Sequence, residues 1–471
     1  MSNDWEAVVG LEIHVHLKTR TKMFCRCELE YFAEPNTRTC PVCLAHPGAL
    51  PVANGKAVEW TIKLGLALGC EIAGEAVFAR KNYFYPDNPK GYQISQYEQP
   101  LCEGGSLLVP GVDGDREIGF VRAHHEVDAA KTVHVGGGTG RKVGSAYSLV
   151  DFNRAGTPLV EIVTQPDIHS ADEAVRFLRL LRQTIVELGI SDAEMEKGTL
   201  RVDANVSVRP RGSDELRTRW ELKNMNSFTF IGRGIETATR DQIALYEQGA
   251  AVEQHTYDYE PENDRLTPHR AKEEANDYRY FPEPDLVPVQ PEPALVERLR
   301  GALPELPGRR IVRLRDDLGA AAAQTLVTGG LDGLWAATRD AGAEPVAAAN
   351  VIANQLVGAG VDPAAVDPRE LAKLVSAREE IPRKAFDDAI AHAGDEGFKA
   401  DPYLEQKALA DTSQLEPIVD EVLAQNESQV DAYRGGKSGL LGFFVGQVMK
   451  RTNGQADARI VNELVREKLD A

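Results

Sequence analysis

Arg201–Arg209 reads RVDANVSVR, and this stretch decides how the first half of the chain folds. Val202, Ala204, Val206 and Val208 take every second position, and Arg201, Asp203, Asn205, Ser207 and Arg209 take the others. Successive side chains of a strand point to opposite faces, so this is a strand with one apolar and one charged face. Val9–Leu17 (VGLEIHVHL) repeats the pattern: Val9, Leu11, Ile13, Val15 and Leu17 alternate with Gly10, Glu12, His14 and His16. Along Arg122–Asp128 the same logic groups Arg122, His124, Glu126 and Asp128. A return strand after Arg209 groups Arg217, Arg219, Glu221 and Lys223. A single strand of this kind is what any half-solvated sheet shows. Several of them, rich in carboxylates and sharing a Glu-x-His cluster, point instead to a wet concave site. Carboxylates with an imidazole suit Mg²⁺, while Arg and Lys suit phosphates.

Short alternating segments broken by Gly and Pro run from residue 5 to about 280, as in an antiparallel β-rich body. One helix interrupts it between Ser170 and Gly189. Ala174, Phe177, Leu178, Leu181, Ile185 and Leu188 recur there at helical spacing behind an N-capping Ser170. Pro282–Pro293 (PEPDLVPVQPEP) holds five prolines in twelve residues, which excludes a regular helix or a central strand. A boundary is expected there. An Ala- and Leu-rich helical block follows to about Lys407, and Asp411–Ala471 reads as a small helical domain of its own. The fold class is α+β, with domains at 1–293, 294–408 and 409–471.

A chain of 471 residues exceeds one hydrophobic core. No stretch approaches the ~18–20 apolar residues of a membrane helix. The N-terminus lacks a signal-peptide layout, so the cytoplasm is the expected location. A net charge of −19 argues against indiscriminate coating of nucleic acid, so any RNA contact has to use local basic surface. The tail supplies one: Asp411–Asp431 has six acidic and no basic residues, whereas Arg434–Ala471 has seven Lys or Arg against four acids. Lys437, Lys450, Arg451 and Arg459 are the candidate contacts to an RNA backbone.

Cys25, Cys27, Cys40 and Cys43 follow the spacing C-x-C-x12-C-x2-C, which fits a closed four-thiolate zinc site of structural role. Disulfides are the weaker reading in a cytoplasmic chain. Cys70 and Cys102 read as buried small hydrophobes. Two Gly-rich candidates fail as phosphate loops: Gly136–Gly144 has Arg141 where Lys is required, and Gly436-Lys437-Ser438 has Asp431 in place of the first Gly. No amidase-type nucleophile motif is visible, so the chain is not expected to release ammonia from glutamine.

Arg80–Gln96, RKNYFYPDNPKGYQISQ, is too charged for a core element and too aromatic for a linker, and it reads as a rigid ligand-cradling loop with its aromatics packed under polar groups. It resembles the corresponding loop of the B-subunit family of bacterial tRNA-dependent aspartyl/glutamyl amidotransferases. The likeness continues in VGLEIHVHL, in DFNRAGTPLVEIVTQPD from Asp151, in KEEANDYRYFPEPDL from Lys272 and in the Lys437–Leu469 tail. The resemblance implies a β-rich cradle domain, a helical domain and a tail resembling the YqeY family. It implies a heterotrimer in which an amidase-type A subunit supplies ammonia and a small C subunit wraps the other two. ATP then phosphorylates the side-chain carboxylate of Glu on tRNA(Gln) or Asp on tRNA(Asn), and ammonia displaces the phosphate.

Carried over by position, the resemblance makes Glu12, His14 and Glu126 Mg²⁺ ligands, and Asp128, on the same strand face as Glu126, is a further catalytic candidate. Lys81, Asn82, Tyr83 and Lys90 of the loop, with Arg154 and with Arg201, Asp203, Asn205, Glu221 and Lys223 of the polar strand faces, are the candidates to bind ATP or substrate. The family usually has two adjacent glutamates before the Asp, whereas here the chain reads Glu126-Val127-Asp128, and Ala130 stands where Gly is usual. Val127 therefore supports a rival reading, a tRNA-binding scaffold with a decayed kinase site. A zinc-bearing RNA-binding module without ligase chemistry is the third reading, disfavoured by the acidic charge.

Overall fold

The computed structural model describes the chain except for residues 1–3, 31, 112–113, 137–143, 269–276, 407–408, 410 and 471. The rejected phosphate-loop run at 136–144 and the start of the KEEAN motif thus lie largely or wholly outside the described residues. Two compact units emerge, Met1–Arg310 and Ile311–Ala471.

The first unit is built on a 10-stranded sheet. Its central strands are Arg116–Val127, Pro158–Thr164, Trp5–His16 and Leu200–Pro210, adjacent in that order and antiparallel. Trp220–Lys223 extends the sheet beyond Leu200–Pro210, and Thr256–Glu260 joins it in the one parallel pairing among the described strands. The period-two reading holds on both faces of the central strands, whereas Arg217 and Arg219, expected on the return strand, precede Trp220–Lys223 and lie outside it. Val9, Leu11, Ile13, Val15, Val202, Ala204, Val206 and Val208 are buried, and helices cover that side.

Ala171–Glu187 is the helix expected from spacing, with the Ser170 hydroxyl accepting from the Glu173 amide. Phe177 on this helix meets Phe120 of the sheet at 6.0 Å between ring centroids. Two further helices, Gly55–Ala67 and Phe228–Glu247, did not stand out in the sequence. The second is anchored where the Gln242 amide donates to the Val206 carbonyl at 2.9 Å.

A separate hairpin pairs Ala79–Asn82 with Tyr92–Ser95, and Phe281–Pro282 adds a short third strand. The aromatics at its tip do not lie under polar groups as expected: Phe84 is 88% and Tyr85 51% exposed. Only residues 84–86 turn outward; the rest of the turn packs back on the sheet, where Asn88 is buried and the Asp87 carbonyl accepts from the Ala130 amide at 2.9 Å. After Pro282 the proline-rich stretch has no helix or strand until Pro293–Gly301.

The second unit is helical. Within it Leu415, Val419, Val422, Phe444, Val448, Val461 and Val465 form one buried cluster joining the helices Thr412–Ala424, Leu441–Arg451 and Ala458–Asp470. No described helix is long and apolar enough to cross a membrane.

Candidate functional site

Strand register assembles the polar face. His14 lies opposite Glu161 on one side and Arg201 on the other, Glu161 lies opposite His124, and Glu12 lies opposite Asp203. Asn205 lies opposite Glu221. Residues from five strands therefore share one face, and they sort into three groups.

The first group is His14, Glu126 and Glu161, whose ligand atoms lie within 4.8 Å of one another. Glu126 is 3% exposed and accepts from three side-chain donors. Ser95 Oγ donates at 2.9 Å, Gln93 Nε2 at 3.1 Å and Lys81 Nζ at 3.4 Å. All three donors come from one face of the hairpin, where Lys81 pairs with Gln93. Burial opposes charge on Glu161, but the His14 ring at 3.5 Å, His124 and Lys81 hold it well below the usual carboxylate range. Burial also opposes protonation of His14, and Glu161 outweighs it and raises the His14 pKa. His124 is driven the other way, toward the neutral ring, by burial. One imidazole with two carboxylates at this spacing fits a hard divalent cation sharing its shell with other oxygens.

Glu12 belongs to a second group, with Asp203 and Glu221. Lys223 sits among them, 2.6 Å from Asp203 and 2.8 Å from Glu221, and Asn205 donates to Glu12 at 3.3 Å. Burial, then Glu161 and Asp203, raise the Glu12 pKa.

The third group surrounds Asp128. His16 is 2.7 Å away, Arg201 2.8 Å and Arg154 3.4 Å, and the Ala129 amide donates to the same carboxylate at 2.9 Å. Burial alone would raise its pKa, but His16 and the two guanidinium groups push it far below the ordinary value. Asp128 is thus an anchor for two arginines, apart from the His14 group. Val127 is buried, and its carbonyl accepts from Gln93 at 2.6 Å.

Of the other sequence candidates, Asn82 donates to the carbonyls of Tyr278 and Arg279. Lys81, Asn82 and Tyr83 line an open cleft of about 860 Å³ with Tyr85, Gln93 and Tyr278. Its volume suits a drug- or nucleotide-sized ligand, and Lys81 and Gln93 connect it directly to Glu126. Lys90 stands between two places: it borders a cavity of about 190 Å³ beside Cys25 and Cys43, and it also lines a narrow pocket with Tyr83, Gln93 and Asp128; burial lowers its pKa. Lys437, Lys450 and Arg459 are exposed, and among the described residues none forms an ion pair. Arg451 pairs with Glu421 at 2.7 Å.

Sequence reasoning left out Glu161, Gln93, Ser95 and the His16–Asp128 contact. Glu161 is the lone carboxylate in the apolar run PLVEIVT, and that isolation was its signal. Gln93 and Ser95 alternate with Tyr92 and Ile94, a period-two pattern readable in GYQISQ.

The sulfur atoms of Cys25, Cys27, Cys40 and Cys43 also lie within 4.8 Å of one another, with Cys40 and Cys43 3.9 Å apart. Tetrahedral zinc with Zn–S of ~2.3 Å places its sulfurs ~3.8 Å apart, so the cluster fits that ion. A hydrogen bond from Cys25, reinforced by nearby Lys22, pulls the Cys43 thiol down to about 4, in the thiolate range. Cys70 and Cys102 are buried.

Residues 7–297 match the GatB/GatE catalytic domain family, and residues 336–469 match the GatB domain family. Full-length relatives are similar throughout. The B subunit of the aspartyl/glutamyl-tRNA(Asn/Gln) amidotransferase from Anaeromyxobacter sp. (strain Fw109-5) is 46% identical, with 99% of each chain covered. Its namesake from Oleidesulfovibrio alaskensis is 44% identical, again over 99% of each chain.

Proposed function

Since this chain belongs to the GatB family of aspartyl/glutamyl-tRNA(Asn/Gln) amidotransferases, we propose that the polar sheet face of its first unit is where the side chain of a misacylated tRNA is activated and amidated. The reaction is that of a carbon–nitrogen ligase acting on tRNA within a multi-subunit enzyme. A free carboxylate is a poor electrophile. Transfer of the ATP γ-phosphoryl to the side chain of Glu on tRNA(Gln) or Asp on tRNA(Asn) gives an acyl phosphate, and ammonia displaces phosphate to leave the amide.

The His14–Glu126–Glu161 group carries this reading. It would hold Mg²⁺, which neutralises charge on the transferred phosphoryl when bound. The residues around it divide the remaining tasks. Lys81, Gln93 and Ser95 fix both oxygens of Glu126, so its carboxylate keeps one orientation. Lys81, Asn82 and Tyr83 line the cleft that would receive ATP, and Lys223 balances Glu12, Asp203 and Glu221. Arg154 and Arg201, held by Asp128, present half-exposed guanidinium groups suited to phosphate oxygens.

Ammonia is expected from an amidase-type A subunit, with a small C subunit completing a cytoplasmic heterotrimer. The four cysteines would hold a structural zinc, and the tail beyond residue 409 would contact the tRNA backbone. Val127, in place of a second glutamate, favours a scaffold with a decayed kinase site. The complete donor set around Glu126 weighs against that rival.

Single-turnover ADP formation decides between them. The wild-type assembly should form ADP only when misacylated tRNA is present, and Glu126→Gln should abolish it with tRNA binding retained. A wild-type assembly that binds the tRNA without forming any ADP would leave the scaffold reading standing and defeat this one.

A further inference from the structure

The described residues between 24 and 51 contain no helix or strand beyond one isolated bridge residue, yet they are bonded to the loop that presents Arg154. The tip of this insert lies between Cys27 and Cys40. There the Asn36 side chain accepts from the Phe152 amide at 2.8 Å and donates to the Val150 carbonyl at 3.2 Å, while its own amide donates to Asp151 at 3.0 Å. The Arg38 amide donates to Asn153 Oδ1, and Asn153 Nδ2 donates to the Glu34 carbonyl, both at 2.8 Å. At the base of the insert the fully buried Lys22 ammonium joins Cys43 Sγ, at 3.6 Å, to the Phe152 carbonyl, at 3.1 Å.

The loop held in this way carries Arg154. Its guanidinium donates to the Ala129 and Ala130 carbonyls at 3.0 and 2.8 Å and reaches the Asp128 carboxylate. Asn36 itself has φ of +62°, the left-handed region that asparagine adopts more readily than other non-glycine residues, and this backbone aims both its amide and its side chain at the 150–152 segment. The insert's own backbone holds only turn hydrogen bonds, such as the Leu44 amide to the Cys40 carbonyl at 3.0 Å and the His46 amide to the Pro41 carbonyl at 2.8 Å. Closing its four thiolates on one ion would add the constraint that a helix or strand would otherwise supply.

We propose that the insert is a metal-folded clamp, in which Asn36 and Lys22 are positioning residues that set Arg154 against Asp128. Zinc bound outside the polar sheet face would then tune the arginine rather than merely stabilise the fold. This rests on the zinc reading of the cysteines.

The test measures deuterium uptake in the full-length chain, with zinc bound and after chelation under reducing conditions. Exchange over 150–156 should quicken at least about tenfold when zinc leaves, as expected when a set of hydrogen bonds is released together. Exchange over Leu200–Pro210 should not change. Unchanged exchange over 150–156, or an equal rise over both segments, overturns the clamp. Asn36→Ala gives an arm independent of zinc removal. It should keep its zinc and its kcat, exchange faster over 150–153 because both side-chain hydrogen bonds of Asn36 are lost, and raise the KM for ATP about threefold as Arg154 is less firmly placed. Normal exchange and normal KM in this variant also overturn the proposal. A purified chain without zinc refutes the zinc reading itself, and the Asn36→Ala arm then still decides whether the insert positions Arg154.

Discussion

Asp128→Asn isolates what the buried carboxylate does. The substitution keeps the shape of the side chain and an oxygen for the Ala129 amide, but removes the charge that His16, Arg201 and Arg154 surround. Breaking a buried ion pair by removing one partner costs ~3–5 kcal/mol. The side chains of Arg201 and Arg154 are 43% and 35% exposed and can rehydrate, so the cost here should be smaller, about 2–3 kcal/mol. In a unit of this size that lowers the melting temperature by about 4–6 °C. The pH dependence gives a second signature. A carboxylate whose folded pKa is depressed contributes stability above its unfolded value of ~3.9, and that contribution is lost as pH falls through the folded value. The difference between wild type and variant should therefore stay flat from pH 8 to about 5 and shrink only below about 4. Thermal melts across this range, followed by fluorescence, test both points. A melting difference under about 1 °C at pH 7 would refute the anchoring role, and a difference that shrinks between pH 8 and 6 would assign the effect to another group.

Glu161→Gln, which removes a carboxylate of the His14 group, should abolish tRNA-dependent ADP formation while tRNA binding persists. His14→Ala should act more mildly, with part of its loss recovered at high Mg²⁺ as water replaces the ring; a Mg²⁺ titration of both variants checks this. Cys40→Ser should drop the zinc content below the one ion per chain expected of a four-thiolate site, and should lower stability more than turnover, as metal analysis beside a melt would show. Truncation after about Thr412 should leave the first unit folded, weaken tRNA binding and flatten its salt dependence, because fewer phosphate contacts release fewer counterions. Equal affinity and slope with and without the tail would exclude that role.

How much of this was legible depends on whether a residue's neighbours are close in sequence. The strands of the sheet were, because period two is written into Arg201–Arg209 and Val9–Leu17, and so was the helix behind Ser170, which carries both its cap and its apolar stripe. The helix Phe228–Glu247 was not. It includes Gly232, Gly234, Thr237 and Thr239, poor helix formers, and it persists because tertiary packing overrides propensity. A Cβ on Gly234 would come within 2.9 Å of Met225 Sδ, and one on Gly232 within 3.1 Å of Val175. Those glycines read as breaks in the sequence and are close contacts in the fold. Gly65 in the helix Gly55–Ala67 behaves alike, with Cys102 Sγ pressed against the place where its Cβ would stand. The site divides in the same way. Alternation shows that Glu12 and His14 leave one face of a strand, but not which strands flank it. Once Pro158–Thr164 lies on one side and Leu200–Pro210 on the other, a two-residue step along the strand carries His14 to Glu161 and Glu12 to Asp203. Two ligands adjacent in the sequence pattern thereby enter different groups, and the carboxylate that completes the His14 group sits in a run whose buried apolar neighbours conceal its alternation. Strand faces are local information and strand order is not, which is why the residue types of this site were readable before their partnerships were.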